Sequence, residues 1–482
     1  MVKKIVISRF NNIAAILQNH KIQEIIAINN KYQVNDIYLG TVQKIFSSIN
    51  AAFVKLGEYG KSGFIHISDI KPLKKGRMVN HITDILSINQ LVLVQIIKEP
   101  TLNKGPRLTA NINLIGRYLI LMPFSNTVCI SHKIYDHSER VYLNALAMLL
   151  KPAIMGLFVR SSAQGITEEA ILEDLKLLRD QWSFIQKSAV TIKFPSLIYK
   201  DEDLVQRIVR DYYDDSVKKI IIDSQDGLLQ VRYHLNKWQC ISSYTNMKLQ
   251  LYNKSECLLD QFQVKNTVSE ALKPKIQLSS GGYIFIENNE ALTVIDVNSG
   301  SFNKSENSKE AILRTNCYAA IEIAYQLKIR NINGVIIIDF IDMQSQRDQL
   351  QLLEHFSNLL KLDHAKPQIV QLSELGLVEL TRRRRGQSLL ELCRGKNHCY
   401  LNNIFNSINL SHSLQGRKDI VIHQKINLLF FNKKFFNSLT VVTKKDNSKR
   451  FIHVCTDNRI NIVKPRANYI VPFLLYSRII GT

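Results

Sequence analysis

Apolar and polar positions change period several times along this 482-residue chain, and each change marks an element. At the start, Ile5-Val6-Ile7, Ile13-Ala14-Ile16 and Ile25-Ile26-Ala27 predict three short strands, too few to bury a core alone. They are expected to complete a sheet with a later segment. From about Asn35 to Ile112, short runs rich in Val, Ile and Phe are separated by Gly-containing turns, the pattern of a small β-barrel. Further strands at "RYLILMPFSNTVCISHKI" from Arg117 and "MGLFVRSSAQG" from Met155 precede a helix opened by Thr167-Glu168-Glu169. "DDSVKKIIIDSQ" from Asp214 reads as a helix end running into a strand, and "LLDQFQVKNTVSEALKPKIQLSSGG" from Leu258 as a helix that Pro274 terminates. The Gly281-Gly282 pair after it allows a tight hairpin or a close backbone approach.

Two later runs, "YIFIENNEALTVIDVNSG" from Tyr283 and "GVIIIDFIDM" from Gly334, each deliver an aspartate out of an apolar strand. Alternation sends Val294, Asp296 and Asn298 to one face of the first. In the second, Val335 to Ile338 is a continuous β-branched run, which predicts a strand covered on both faces with Asp339 at its end. Between them Ala311, Ile312, Ala319, Ile323, Ala324 and Leu327 have helical spacing, and Asn333-Gly334 supplies the stop. Strand, helix, strand is a crossover unit that sets the two strands side by side, with both acids at the edge where such sheets bind ligands. An ionised carboxylate is costly to bury unless paired or bound to a cation, so the two acids form a candidate metal site. An all-oxygen donor set favours a hard divalent ion, magnesium before zinc.

Beyond Met343 an amphipathic helix is followed by "PQIVQLSELGLVELTRRRRGQSLLELC" from Pro367, read as strand, turn and a helix led by Arg382, Arg383, Arg384 and Arg385. Arginines beside an acid-lined edge are expected to hold a substrate's phosphate backbone. From Tyr400 onward the pattern has helix and strand character with a Lys-rich hairpin.

The net charge of +22 turns these patterns toward a polyanionic partner, with nucleic acid ahead of an anionic membrane surface. No apolar run approaches a membrane span; the nearest, "YIVPFLLY" from Tyr469, is broken by Pro472. Seven mostly isolated cysteines suit a reducing compartment, and the first residues carry neither a secretory signal nor an Arg/Ser-rich leader. In the barrel segment Phe53 and Phe64 lie in runs flanked by Lys44, Lys55, Lys61 and Lys104. Exposed rings in a basic groove stack single-stranded RNA, while buried ones are core, and the pattern alone leaves both open. Arg160 followed by Ser161 and Ser162 offers a guanidinium and hydroxyls at a strand end, either a phosphate grip or a solvated surface group.

The barrel segment resembles the ribosomal-protein type of oligonucleotide-binding fold in its Gly-x-Val opening and its "GFIHISDI" close. Together with "MGLFVRSSAQG", "EALTVIDVNSG", "GVIIIDFIDM" and "GLVELTRRRRGQS", in that order, it makes the chain resemble the ribonuclease E/G family up to about Gln387. The resemblance implies an α/β and β multidomain protein. Its parts would be a DNase I-like catalytic domain over 273–392, an OB-type RNA-binding barrel over 35–113 and a 5′-end sensing region over 114–209. A ribonuclease H-like domain would be split between 1–34 and 210–272, with a zinc-link region at 393–399 and a small C-terminal α/β domain over 400–482.

The resemblance further implies magnesium on Asp296 and Asp339, with Asn298 orienting a carboxylate or water, and RNA contacts from Phe53, Phe64, Lys104, Arg382 and Arg383. Arg160 and Ser161 match positions that recognise a 5′-monophosphate, with Ser161 where the family often has Thr. The family's Cys-Pro-x-Cys zinc hairpin is replaced here by Cys393 and Cys399 at longer spacing, with His398 between them, which departs from close-spaced thiolate geometry. The expected activity is magnesium-dependent endonucleolytic hydrolysis of single-stranded, A/U-rich RNA, stimulated by a 5′-monophosphate, in RNA processing and decay. Expected with it are a homo-oligomer, dimer or tetramer, and a chloroplast stroma or bacterial cytoplasm setting. The rival expectation is a non-catalytic RNA-binding or ribosome-assembly protein.

Overall fold

A computed structural model describes residues 2–394 except 29–31, 58–60, 71–80, 102–103, 193, 202, 215, 239–246, 280, 290, 301–307 and 385. Cys399, His398 and the expected 400–482 domain lie outside the described residues. The chain opens with β1 (Lys3–Ser8), β2 (Ile13–Gln18) and β3 (Lys21–Ala27), paired antiparallel in sequence order. A barrel follows from β4 (Ile37–Phe46), β5 (Ala51–Lys55), β6 (Ser62–His66), β7 (Leu91–Lys98) and β8 (Arg107–Thr109). β4 pairs with β7 through its first half and with β5 through its second, which closes the sheet on itself. Val42, Val54, Ile65, Val94 and Leu108 fill the interior.

Next come β9 (Leu114–Ile115), β10 (Leu119–Met122), β11 (Val128–Ile130), helix α1 (His137–Leu150) and β12 (Gly156–Val159), which form a sheet ordered β11-β12-β10-β9. α2 (Glu168–Thr191), with Thr167 at its N-cap position as predicted, buries Asp174 beneath that sheet. The carboxylate accepts the N–H groups of Arg117, Tyr118 and Leu119 at 3.2, 2.9 and 3.1 Å, which satisfies an otherwise costly buried acid. β13 (Ser196–Tyr199) then adds to β4, so the barrel sheet gains a strand from well beyond the segment expected to form it.

α3 (Leu204–Tyr212), β14 (Val217–Ile222), α4 (Gln225–Lys237) and β15 (Lys248–Leu251) return to the start of the chain. β14 runs parallel to β1, giving the five-stranded order β15-β14-β1-β2-β3. The first three strands therefore do complete a sheet with a distant segment. The helix predicted from Leu258 is two, α5 (Leu258–Gln261) and α6 (Val264–Leu272), because Gln263 between them sits in the left-handed region at φ 56°.

The last sheet is built from β16 (Lys275–Gln277), β17 (Tyr283–Asn288), β18 (Leu292–Asn298), β19 (Gly334–Asp339), β20 (Gln368–Leu372) and β21 (Leu377–Arg382). Its order is β16-β17-β18-β19-β21-β20, with α7 (Ser308–Ile329) crossing from β18 to the parallel β19, α8 (Gln346–Leu360) after β19, and α9 (Leu389–Arg394) after the sheet. Ile295, Ile336 and Ile338 pack with Ile323 and Leu327 of α7 and Phe356 of α8. α7 stops earlier than expected: Asn331, at φ 48°, takes the left-handed position, and Gly334 at φ 91° opens the strand instead. The expectation that β19 is covered on both faces is also corrected, because Val335 is 46% exposed on the face away from α7 and α8. An unbroken β-branched run there reflects strand preference more than double burial.

Candidate active site

The open face of that last sheet carries the two predicted acids. Alternation buries Thr293, Ile295 and Val297 against the helices and turns Asp296 and Asn298 outward. In β19 it buries Ile336 and Ile338 and turns Asp339 outward. Asp296 and Asp339 are direct register partners of the parallel pair. Neighbouring strands lie about 4.8 Å apart, so two like charges share one patch of surface. The acids are exposed rather than buried, so it is their juxtaposition, not the cost of burial, that calls for a cation.

Asn298 Nδ2 donates to Asp296 Oδ2 at 2.6 Å and fixes that carboxylate's orientation. Partial desolvation, then the negative charges of Asp296 and Asp342, push the Asp339 carboxyl above its ordinary value. A bound cation would relieve that repulsion. Among the described residues no group of three or more His, Cys, Asp or Glu side chains is arranged to hold a metal ion. The two carboxylates on paired strands suit a hard divalent ion that completes its shell with waters and phosphate oxygens.

Two neighbours set the site's shape: Asn316, which pattern reading did not single out, and Gly282, which it did. Asn316 of α7, fully buried, donates through Nδ2 to the Ile341 carbonyl at 2.9 Å and accepts from Ile341 N at 3.1 Å, clamping the chain just after Asp339. A polar residue on the apolar stripe of a helix was the available signal. At Gly282 a Cβ would stand 2.5 Å from the Asn298 carbonyl, so the close backbone approach expected of the Gly pair occurs at the end of β18.

On the barrel, Phe53 and Phe64 are cross-strand partners on the outer face, with ring centroids 5.9 Å apart, and both lie outside the core. The alternative of core rings is thereby removed. Lys44 stands opposite Phe53 and Arg107 opposite Phe64, so cations flank the pair across the sheet. Lys104 is exposed just before Pro106, whose carbonyl accepts the Phe64 N–H at 2.8 Å.

Arg160, at the end of β12, donates to the Gly116 carbonyl at 2.5 Å and to Asp211 at 2.7 Å, while Ser161 beside it is exposed. Burial alone would raise the Asp211 carboxyl, but Arg210 and Arg160 together hold it well below the carboxylate range. Arg210, 2% exposed, also pairs with Asp201 at 3.2 Å, and Asp201 N donates to Asp36 at 2.9 Å. Arg160, where the phosphate grip was expected, is thus tied through half-buried Asp211 to the buried Arg210, Asp201 and Asp36 at the root of the barrel.

Two site expectations are corrected. Arg382 does not face a substrate: its side chain is 4% exposed, pairs with Asp363 at 2.7 Å and donates to the Ile332 carbonyl at 2.7 Å. Arg383 is exposed, and Arg384 pairs with Glu391 at 2.9 Å. Cys393 lies in an apolar core with Leu389 and Leu392, where burial pushes its thiol up to about 12, so its side chain packs inside instead of facing outward toward a shared zinc.

Comparison with known proteins follows the same lines. The ribonuclease E/G family model matches residues 113–385, and the S1 RNA binding domain model matches residues 31–109. The chain is 64% identical over 392 residues to a ribonuclease E/G-like protein of Porphyra purpurea, covering 81% of this chain and 77% of that one. It is 54% identical over 483 residues to a ribonuclease E/G-like protein of Pyropia yezoensis, covering 99% and 94%. Ribonuclease E of Nostoc sp. is 50% identical over 392 residues, covering 81% of this chain and 57% of that protein.

Proposed function

This chain belongs to the ribonuclease E/G family and is an endoribonuclease of RNA processing; on that premise we propose a magnesium-dependent hydrolase of single-stranded, A/U-rich RNA. Its products are 5′-phosphate and 3′-hydroxyl ends. The observation that carries this reading is the direct register pairing of Asp296 with Asp339 on an open sheet face. A chain that only held RNA would gain nothing from two carboxylates facing a polyanion.

Asp296 and Asp339 would hold the ion, and Asn298 fixes the orientation of the Asp296 carboxylate. When bound, the ion lowers the pKa of a coordinated water and neutralises charge on the phosphoryl oxygens. Phe53 and Phe64 stack bases, Lys104 and Arg383 meet phosphates, and Arg160 with Ser161 receives a 5′-monophosphate. We read the six-stranded sheet as the DNase I-like catalytic domain and the five-stranded sheet as a split ribonuclease H-like domain. The protein works as a homo-oligomer in a plastid stroma or bacterial cytoplasm, on ribosomal or polycistronic precursors. Among the described residues no helix is long and apolar enough to cross a membrane.

The test is a labelled A/U-rich single strand mixed with the purified chain. Cleavage with magnesium and none with a chelator supports the reading. Tight binding without cleavage under any divalent ion would leave the non-catalytic RNA-binding protein in its place.

A further inference from the structure

We propose that Phe46 is a third base platform, which extends the single-stranded RNA footprint of the barrel by one nucleotide beyond Phe53 and Phe64. The inference rests on the reading that those two rings hold RNA and adds a subsite to it.

Phe46 is the last residue of β4 and shares its outer face with Lys44, because Ile45 between them packs against the barrel core. Its register partner on β5 is Ala51. A methyl group there leaves room for the ring to lean diagonally onto Phe53, at a centroid distance of 5.5 Å and an interplanar angle of 79°. Phe53 meets Phe64 in the same edge-on manner at 5.9 Å and 70°. Three rings therefore run in succession across β4, β5 and β6, and all three lie outside the barrel core.

The ring at the end of this row is 38% exposed. Its packing on Phe53 leaves apolar surface open to water beside a lysine, an arrangement that suits a base stacked on the ring with its phosphate near Lys44. The backbone after it is also held. Asn50, left-handed at φ 47°, closes the turn through its N–H to the Ser47 carbonyl; its carbonyl accepts from Ile67 N at 2.9 Å and its side chain from Ile82 N at 3.1 Å. A ring presented from a pinned turn loses little freedom when a base stacks on it. The net charge of +22 favours an RNA strand as occupant, and the rings continue directly from the proposed RNA face. Stacking on a π face accepts any base, so the subsite adds affinity with little sequence preference.

The experiment is equilibrium binding of fluorescent single-stranded oligonucleotides of graded length to the full chain, with chelator present to stop cleavage. It compares the unaltered protein with Phe46→Ala, Phe46→Tyr and Phe53→Ala. Stacking contributes about 1–3 kcal/mol per base, so Phe46→Ala should weaken the longer oligonucleotides by about 5- to 150-fold. It should spare the shortest that bind, and Phe46→Tyr should retain the affinity. Affinity should also stop rising about one nucleotide earlier in Phe46→Ala. Equal loss at every length would mean that Phe46 merely props Phe53, and no loss at any length while Phe53→Ala does lose affinity would remove the subsite alone. If Phe53→Ala also binds normally, the whole RNA face falls, and the proposal with it.

Discussion

Arg160 and Asp211, far apart in sequence, form a 2.7 Å ion pair, and the same carboxylate is held from behind by Arg210 at 3.1 Å. Asp211 therefore sets the direction of the Arg160 guanidinium, and in the proposed 5′-phosphate role preorganisation of this kind would reduce the cost of binding. Arg210 keeps a second partner in Asp201, so losing Asp211 does not strand a buried charge.

It follows that Asp211→Asn should lower the preference for 5′-monophosphate over 5′-hydroxyl RNA several-fold while leaving cleavage of the 5′-hydroxyl substrate within a few-fold. Arg160→Ala should erase the preference. The check is the ratio of cleavage rates on the two substrates for each variant. An unchanged ratio in Asp211→Asn would show that Arg160 needs no such support.

Asp36, fully buried, carries a pH signal. Burial pushes its carboxyl up to about 7 even though it accepts the N–H groups of Asp201 and Gln33. The folded value lies above the unfolded one, so its stabilising contribution is full below about pH 4 and is lost as pH rises toward about 7. The urea midpoint of Asp36→Asn should accordingly change less between pH 5 and pH 8 than that of the unaltered protein. Parallel pH dependence in the two would show that Asp36 titrates normally.

Neighbouring arginines should separate cleanly. Removing one partner of a buried ion pair costs about 3–5 kcal/mol, so Arg382→Ala should sharply lower the unfolding midpoint by stranding Asp363. Arg383→Ala should change the unfolding free energy by no more than about 0.5 kcal/mol. It should instead flatten the salt dependence of RNA binding by about one phosphate contact, read from affinity against salt concentration. Reversed effects would exchange the two roles.

The contrast also marks what was legible in the sequence. Alternation put Asp296 and Asn298 on one face, and the helical spacing between the two strands predicted the crossover that brings Asp339 beside them. The same alternation, counted from Val378 and Leu380, assigns Arg382 to the buried face; four consecutive arginines drew attention to charge and hid parity. Leu392 and Cys393 stand three and four residues after Leu389, so the pattern of a packed helix face was present there too. Asp211 could not be found this way, because its bond to Arg160 depends on how α3 packs against β12, and strand period carries no information about that. The barrel rings were ambiguous because an exposed and a buried Phe look alike until register fixes which way each points.

Cleavage by Asp296→Asn and Asp339→Asn proteins, measured beside their RNA affinity, tests the central claim most directly. Each substitution should abolish hydrolysis of a 5′-monophosphorylated single strand in magnesium while leaving affinity for that strand within a few-fold. Undiminished turnover by either purified variant would contradict the two-carboxylate site.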